Sequence, residues 1–162
     1  MTANELDLML KTLVSIADEA GCEILKHYKS DLSHNKKSDG SPITLADIAA
    51  NKIITSNLRL NWPNIYILSE EDNYSQNKIS GCKSYWAVDP LDGTKEFLKQ
   101  NDEFTVNIAL VNKGMPILGL IYAPALKLMY IGSLFGTRIF RKRIDNYWID
   151  LMKEKSYSRK TN

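Results

Sequence analysis

Two short segments of this 162-residue chain concentrate groups able to do chemistry: Ser69-Glu70-Glu71-Asp72 and Asp89-Pro90-Leu91-Asp92-Gly93-Thr94. Each directly follows a short β-prone run, and strand ends are where sites are commonly built. Pro90 keeps Asp89 extended and Gly93 permits a sharp turn, so Asp89 and Asp92 can converge with the Leu91 carbonyl between them. With Glu70 arriving from the neighbouring strand, the donor set is all oxygen. Carboxylates about 4 Å apart repel by roughly 4 kcal/mol per pair at an effective dielectric of about 20, so a cation is needed to balance them. No His or Cys lies nearby in sequence, and such hard donors suit Mg2+ better than zinc.

Thr94 is expected to open a short helix, leaving the backbone N–H groups of Gly93, Thr94 and Lys95 free to seat a phosphate. A metal beside a phosphate seat implies metal-assisted phosphoryl hydrolysis. Taken singly, each residue has a plainer role: Glu70, Glu71 and Asp72 as a solvated loop, Asp89 and Asp92 as turn formers, Asp47 as part of a capping box opened by Thr44. Taken together they do not, because Asp-Pro-x-Asp-Gly-Thr fixes five positions and arises by chance in such a chain on the order of once in ten thousand.

The elements that must position these groups are legible from periodicity. Leu6, Leu10, Leu13, Ala17, Ala20, Ile24 and Tyr28 step by three or four, the stripe of a long amphipathic helix, with Thr2 and Glu5 as its capping box. Lys29 to Ser41 is polar and reads as a loop. A second helix starts at Thr44, buries Ala46, Ala49, Ala50, Ile53, Ile54 and Leu58, and stops at Trp62-Pro63. Ile65 to Leu68 and Tyr85 to Val88 then read as buried strands, and Thr94 to Lys99 as a brief helix. Phe104 to Val111 and Met115 to Tyr122 flank Asn112-Lys113-Gly114 as a hairpin, which Leu128 to Ile131 and Thr137 to Phe140 extend as a meander. The predicted class is α+β, two N-terminal helices packed on a mostly antiparallel sheet.

The composition, 44% hydrophobic and 25% charged, is that of a globular domain and excludes a disordered chain, a coiled-coil rod or a disulfide scaffold. Apolar runs such as Ile117 to Leu126 are too short to span a membrane, and the acidic amphipathic start is unlike a signal peptide, so a cytoplasmic protein is expected, at most peripheral to the inner membrane. Cys22 and Cys82 are expected as buried free thiols. Charge is uneven: residues 138–162 carry 8 Lys/Arg against 3 Asp/Glu, whereas residues 1–137 carry 13 against 16. That basic end is read as a solvated, frayed terminus rather than a nucleic-acid site, although Tyr147, Trp148 and Tyr157 are of a type that stacks on bases.

Leu68-Ser69-Glu70-Glu71-Asp72, the run from Tyr85 to Phe97 and the run from Glu103 to Leu110 closely resemble the inositol monophosphatase superfamily. Lys95-Glu96-Phe97 favours its bisphosphate nucleotidase branch, and Pro116-Ile117-Leu118-Gly119 with Tyr122-Ala123-Pro124 agrees. The resemblance implies the first half of an αβαβα sandwich. It assigns Glu70, Asp89, Asp92 and the Leu91 carbonyl to Mg2+, and Gly93 and Thr94 to the substrate phosphate, with Glu70, Leu91 and Asp92 also lining the substrate seat. Asp47 would pair with Thr94 to orient the attacking water, beside Glu70 as a further catalytic group. The implied reaction removes the 3'-phosphate of 3'-phosphoadenosine 5'-phosphate to give AMP and phosphate. The alternatives are an inositol monophosphatase-like or fructose-bisphosphatase-like sugar phosphatase, or a non-catalytic metal-binding or association module.

Family members continue into a second α/β domain whose Trp-Asp motif supplies another metal-binding Asp. The implied layout here is a metal- and phosphate-binding domain over 1–141 followed by a basic divergent tail over 142–162, with that second domain absent and no role for Trp148-Ile149-Asp150. Without it, orientation of the nucleotide would be poor and activity weak, and the chain would be prone to pair with itself or with a complementary chain.

Overall fold

Thr2 closes the expected capping box: its side-chain oxygen accepts from the Glu5 N–H, and the Glu5 carboxylate accepts from the Thr2 N–H at 2.7 Å. Helix α1 (Ala3–His27) follows, burying the predicted stripe through Leu6, Leu13, Ala17, Ala20 and Ile24. The computed structural model describes residues 2–28, 34–36, 42–72, 81–142 and 147–151. The segment expected as a loop instead carries strand β1 (His34–Lys36), paired antiparallel with β2 (Pro42–Thr44). Polarity alone hid this short pair, since it has no apolar alternation to announce it. Helix α2 (Leu45–Asn61) starts from a second capping box, Thr44 with Asp47, and ends before Pro63.

The other strands form one seven-stranded sheet in the order β3 (Tyr66–Ser69), β4 (Ser84–Asp92), β5 (Thr105–Asn112), β6 (Met115–Ala123), β7 (Leu128–Ser133), β8 (Gly136–Lys142) and β9 (Trp148–Asp150). Only β3 and β4 run parallel; every later pair is antiparallel. Between β4 and β5 lies helix α3 (Thr94–Lys99). The architecture is therefore the predicted α+β, two helices on a mostly antiparallel sheet.

Both helices cover one face of the sheet, burying Trp86, Val106, Ile108, Leu110 and Tyr122 against Leu13, Ala17, Ile54 and Leu58. Trp62 at the end of α2 packs on Trp86 with centroids 5.0 Å apart. Tyr28 at the end of α1 packs on Phe97 and Phe104, 5.3 and 4.8 Å away, and its hydroxyl donates to Asp102 Oδ1 at 2.6 Å. That aromatic group fixes α3 and the loop behind it to α1.

Among the described residues no helix covers the other face of the sheet. Leu68, Ala87, Ala109, Gly119, Gly132 and Thr137 are successive cross-strand partners. They floor a groove of about 1030 Å³ that runs to Glu70 and Asp89 at one end.

The boundary expected after Arg141 falls inside the described structure, since Lys142 belongs to β8 and Trp148–Asp150 pairs with it as β9. Lys142 Nζ donates to both oxygens of Asp18 on α1 at 2.7 and 2.8 Å, and Trp148 meets Tyr122 edge-on with centroids 5.4 Å apart. Residues 143–146 and 152–162, the remainder of the expected basic tail, lie outside the described residues. Cys22 is exposed and Cys82 half-buried, not buried as expected. Cys22 sits two residues from Ala20 and falls off the apolar stripe.

Gly21 shows how closely α1 lies against β6. A Cβ added there would sit 2.3 Å from Tyr122 Cε1 and 3.0 Å from Pro124 Cβ. Tyr122 is 2% exposed, so its ring has nowhere to go. Gly21→Ala is expected to cost about 1–3 kcal/mol despite improving helix propensity, measured by urea unfolding.

Candidate active site

The Glu70 N–H donates to Val88 O at 2.9 Å, carrying the parallel β3–β4 ladder one step further and bringing Glu70 beside Asp89. The two neighbours of Glu70 and Glu71 are structural. Ser69 Oγ donates to Asn51 Oδ1 at 2.8 Å, and Asn51 Nδ2 donates to Asp72 Oδ1 at 3.2 Å, so α2 holds this turn at both ends.

Asp89 and Asp92, three residues apart, would point to opposite faces of a regular strand. A β-bulge prevents this: Asp89 pairs with Asn107 and Asp92 with Thr105, so β4 carries one extra residue over this stretch. Asp89 is half-buried, with Oδ1 shielded from solvent and lacking a hydrogen-bond partner. Its carboxyl is pushed up to about 8, first by burial, then by the hydrogen bond and charge of Glu70 and by the charge of Asp92; a backbone hydrogen bond from Leu91 acts the other way.

The charges of Glu70 and Asp92 thus both act on Asp89. Among the described residues no three such side chains close into a preformed cage. Glu70 lies within hydrogen-bonding reach of Asp89, and two carboxyl groups this close raise each other's hold on a proton. The orphaned Asp89 oxygen and the all-oxygen donors fit a hard divalent ion, Mg2+ among them.

Asp47 is fully buried. It closes the capping box by accepting from the Thr44 N–H and hydroxyl, and its other oxygen faces the Thr94 hydroxyl at 3.2 Å. Burial raises its carboxyl above the ordinary range, opposed by the Thr44 and Thr94 hydrogen bonds. Thr94 Oγ1 also lies 3.2 Å from Leu91 O, so its single proton has two acceptors. The Leu91 carbonyl therefore faces Thr94, while the Leu91 side chain anchors the turn in the core at 2% exposure.

Asp89 makes the stability of the metal-free chain pH-dependent. Its folded pKa is raised, so the folded chain holds this proton more tightly than the unfolded one. The contribution is present below the ordinary carboxylate range and is lost as pH rises toward about 8. In EDTA the melting temperature is expected to fall between pH 5 and about 8, and millimolar Mg2+ to flatten that slope in differential scanning fluorimetry.

Asn107 and Asn51 went unmarked in the sequence, because asparagines within strand and helix patterns carry no local signal. Their contacts cross between elements and exist only once the fold is formed.

Residues 5–146 match the model of the inositol monophosphatase family. The 3'(2'),5'-bisphosphate nucleotidase CysQ of Salmonella typhimurium is 48% identical over 127 residues, which is 77% of this chain and 52% of that protein. The CysQ of Buchnera aphidicola is 50% identical over 75% of this chain and 47% of its own. Among solved structures, CysQ from Bacteroides thetaiotaomicron superposes with a TM-score of 0.69 at 36% identity over 90% of this chain and 54% of that one. The extragenic suppressor protein SuhB of Bartonella henselae gives a TM-score of 0.73 at 28% identity, covering 82% and 52%. The chain spans about half the length of the curated relatives it matches. With the match running from the first helix past the last long strand, the chain belongs to the inositol monophosphatase family.

Proposed function

We propose that this chain carries the metal- and phosphate-binding half of a Mg2+-dependent phosphatase acting on 3'-phosphoadenosine 5'-phosphate, with AMP and phosphate as products. The observation that carries the reading is the Thr94 hydroxyl, 3.2 Å from the buried Asp47 carboxylate, directly beyond the Asp89–Asp92 turn. The nucleotidase names of the relatives support the substrate.

Glu70, Asp89, Asp92 and the Leu91 carbonyl would hold Mg2+, which supplies a Lewis acid for the phosphoryl group. Thr94, donating to Asp47, keeps a lone pair free to accept a proton from the attacking water and so aims it. Asp47 holds that hydroxyl in orientation without meeting solvent. Gly93 and Thr94, at the head of α3, turn backbone N–H groups toward the phosphate. Among the described residues no helix is long and apolar enough to cross a membrane. A cytoplasmic location goes with this reading.

The test is hydrolysis by the purified chain of 3'-phosphoadenosine 5'-phosphate, inositol 1-phosphate and fructose 1,6-bisphosphate with Mg2+. Release of phosphate from the first alone, slow but lost by about 10²-fold or more in Asp47→Asn, is the expected result. Preference for either sugar phosphate would assign the site to that class instead.

A second reading is favoured by the groove of about 1030 Å³ on the sheet face opposite the helices, where Ile121 and Tyr130 are 49% and 45% exposed. Such a face favours pairing of two copies of this chain. Sedimentation velocity is expected to show a dimer that Ile121→Lys dissociates; a monomer at every concentration removes this reading.

A further inference from the structure

We infer that Asn107, with Thr105 behind it, is a positioning residue that sets the rotation of the Asp92 carboxylate; this rests on the proposed role of Asp92 as a metal ligand. Asn107 lies directly across from Asp89 in the β4–β5 register, and the bulge brings Asp92 within its reach. Its Nδ2 donates to Asp92 Oδ2 at 3.1 Å. Thr105 Oγ1 donates to Asn107 Oδ1, also at 3.1 Å.

The relay has one polarity. An amide oxygen can only accept, so the hydroxyl of Thr105 must supply the proton there, and the amide nitrogen is thereby turned toward Asp92. Asp92 is exposed and, without this tether, free to turn between rotamers. With Oδ2 engaged by a neutral donor, Oδ1 is the oxygen left for a cation. A neutral amide suits the position: it neither competes for the ion, as a Lys would, nor adds another carboxylate beside Asp89, which already bears the charges of Glu70 and Asp92.

The test uses the intact chain and Mn2+ alone, with affinity followed by the loss of its free-ion electron paramagnetic resonance signal and stability by thermal unfolding in EDTA. Asn107→Leu is expected to weaken Mn2+ binding by about 10-fold while the metal-free melting temperature stays within a few degrees. Thr105→Val should weaken it by about 3-fold, and adding it to Asn107→Leu should change nothing further, since the relay is then already cut. Unchanged affinity in Asn107→Leu, or additive losses in the double variant, would overturn the proposal. Should Asn107→Leu fail to fold, Thr105→Val decides alone, and an unchanged affinity there overturns it. Asp92→Asn separates the two levels: if it weakens Mn2+ binding and Asn107→Leu does not, the relay fails and the ligand role of Asp92 stands; if it too binds Mn2+ normally, both fall.

Discussion

Asp89→Asn is expected to move stability and metal binding in opposite directions. Metal-free, the substitution removes the group whose carboxyl is held up to about 8 by burial and by Glu70 and Asp92. An amide of the same shape has no charge to desolvate, and its nitrogen can donate to Glu70. The variant should therefore melt higher than the parent in EDTA at pH 9, and the slope of melting temperature between pH 5 and 8 should largely vanish. Metal affinity should fall by at least about 100-fold, more than the loss from removing an outer partner, because a neutral amide with one oxygen replaces a charged carboxylate with two. Hydrolysis should fall with it. Gain of one property and loss of the other cannot come from misfolding, which would lower both. If Asp89→Asn melts lower than the parent at pH 9, the strained carboxylate pair is not what the geometry describes.

The legible parts of this molecule are those in which residue type and spacing act locally. Thr2 with Glu5 and Thr44 with Asp47 announce two helix starts, because a capping box is complete within four residues. The hairpin over Asn112-Lys113-Gly114 is local in the same way, with Lys113 and Gly114 both taking the positive φ such a turn needs. Asp89 and Asp92 stand out because Pro90 and Gly93 flank them. What stayed hidden depends on partners distant in sequence. The bulge that turns both carboxylates toward Asn107 is a property of the β4–β5 register, and Trp148 gains meaning only when β9 lands beside β8 and its ring reaches Tyr122. Lys142 looked like one more charge in a basic run, yet its side chain is only 11% exposed and spans the sheet edge to reach Asp18.

Gly93→Ala should disable the site while sparing the core. Gly93 has φ 86°, a left-handed conformation that costs an alanine about 1–2 kcal/mol, and the new Cβ would also lie 2.8 Å from Glu103 O and 3.3 Å from Phe104 Cα. That wall cannot retreat. Phe104 is buried in the Tyr28–Phe97–Phe104 group, and the loop before it is tied to Tyr28 through Asp102. The chain must give at residue 93 instead, carrying Asp92 and Thr94 with it and parting Thr94 from Asp47. A displacement of about 1 Å at such a point costs about 10²-fold in rate, so hydrolysis should drop by that order while the helices and sheet keep their far-ultraviolet circular dichroism. Gly114→Ala supplies the control: it has φ 76° and nothing within 4 Å of the added carbon, so it bears the backbone strain without the collision. The difference between the two variants isolates the close approach. Gly93→Ala should melt lower than Gly114→Ala by several degrees and alone lose activity. Equal behaviour of the two would mean that Gly93 is an ordinary turn residue and that the wall behind it does not hold the site in place.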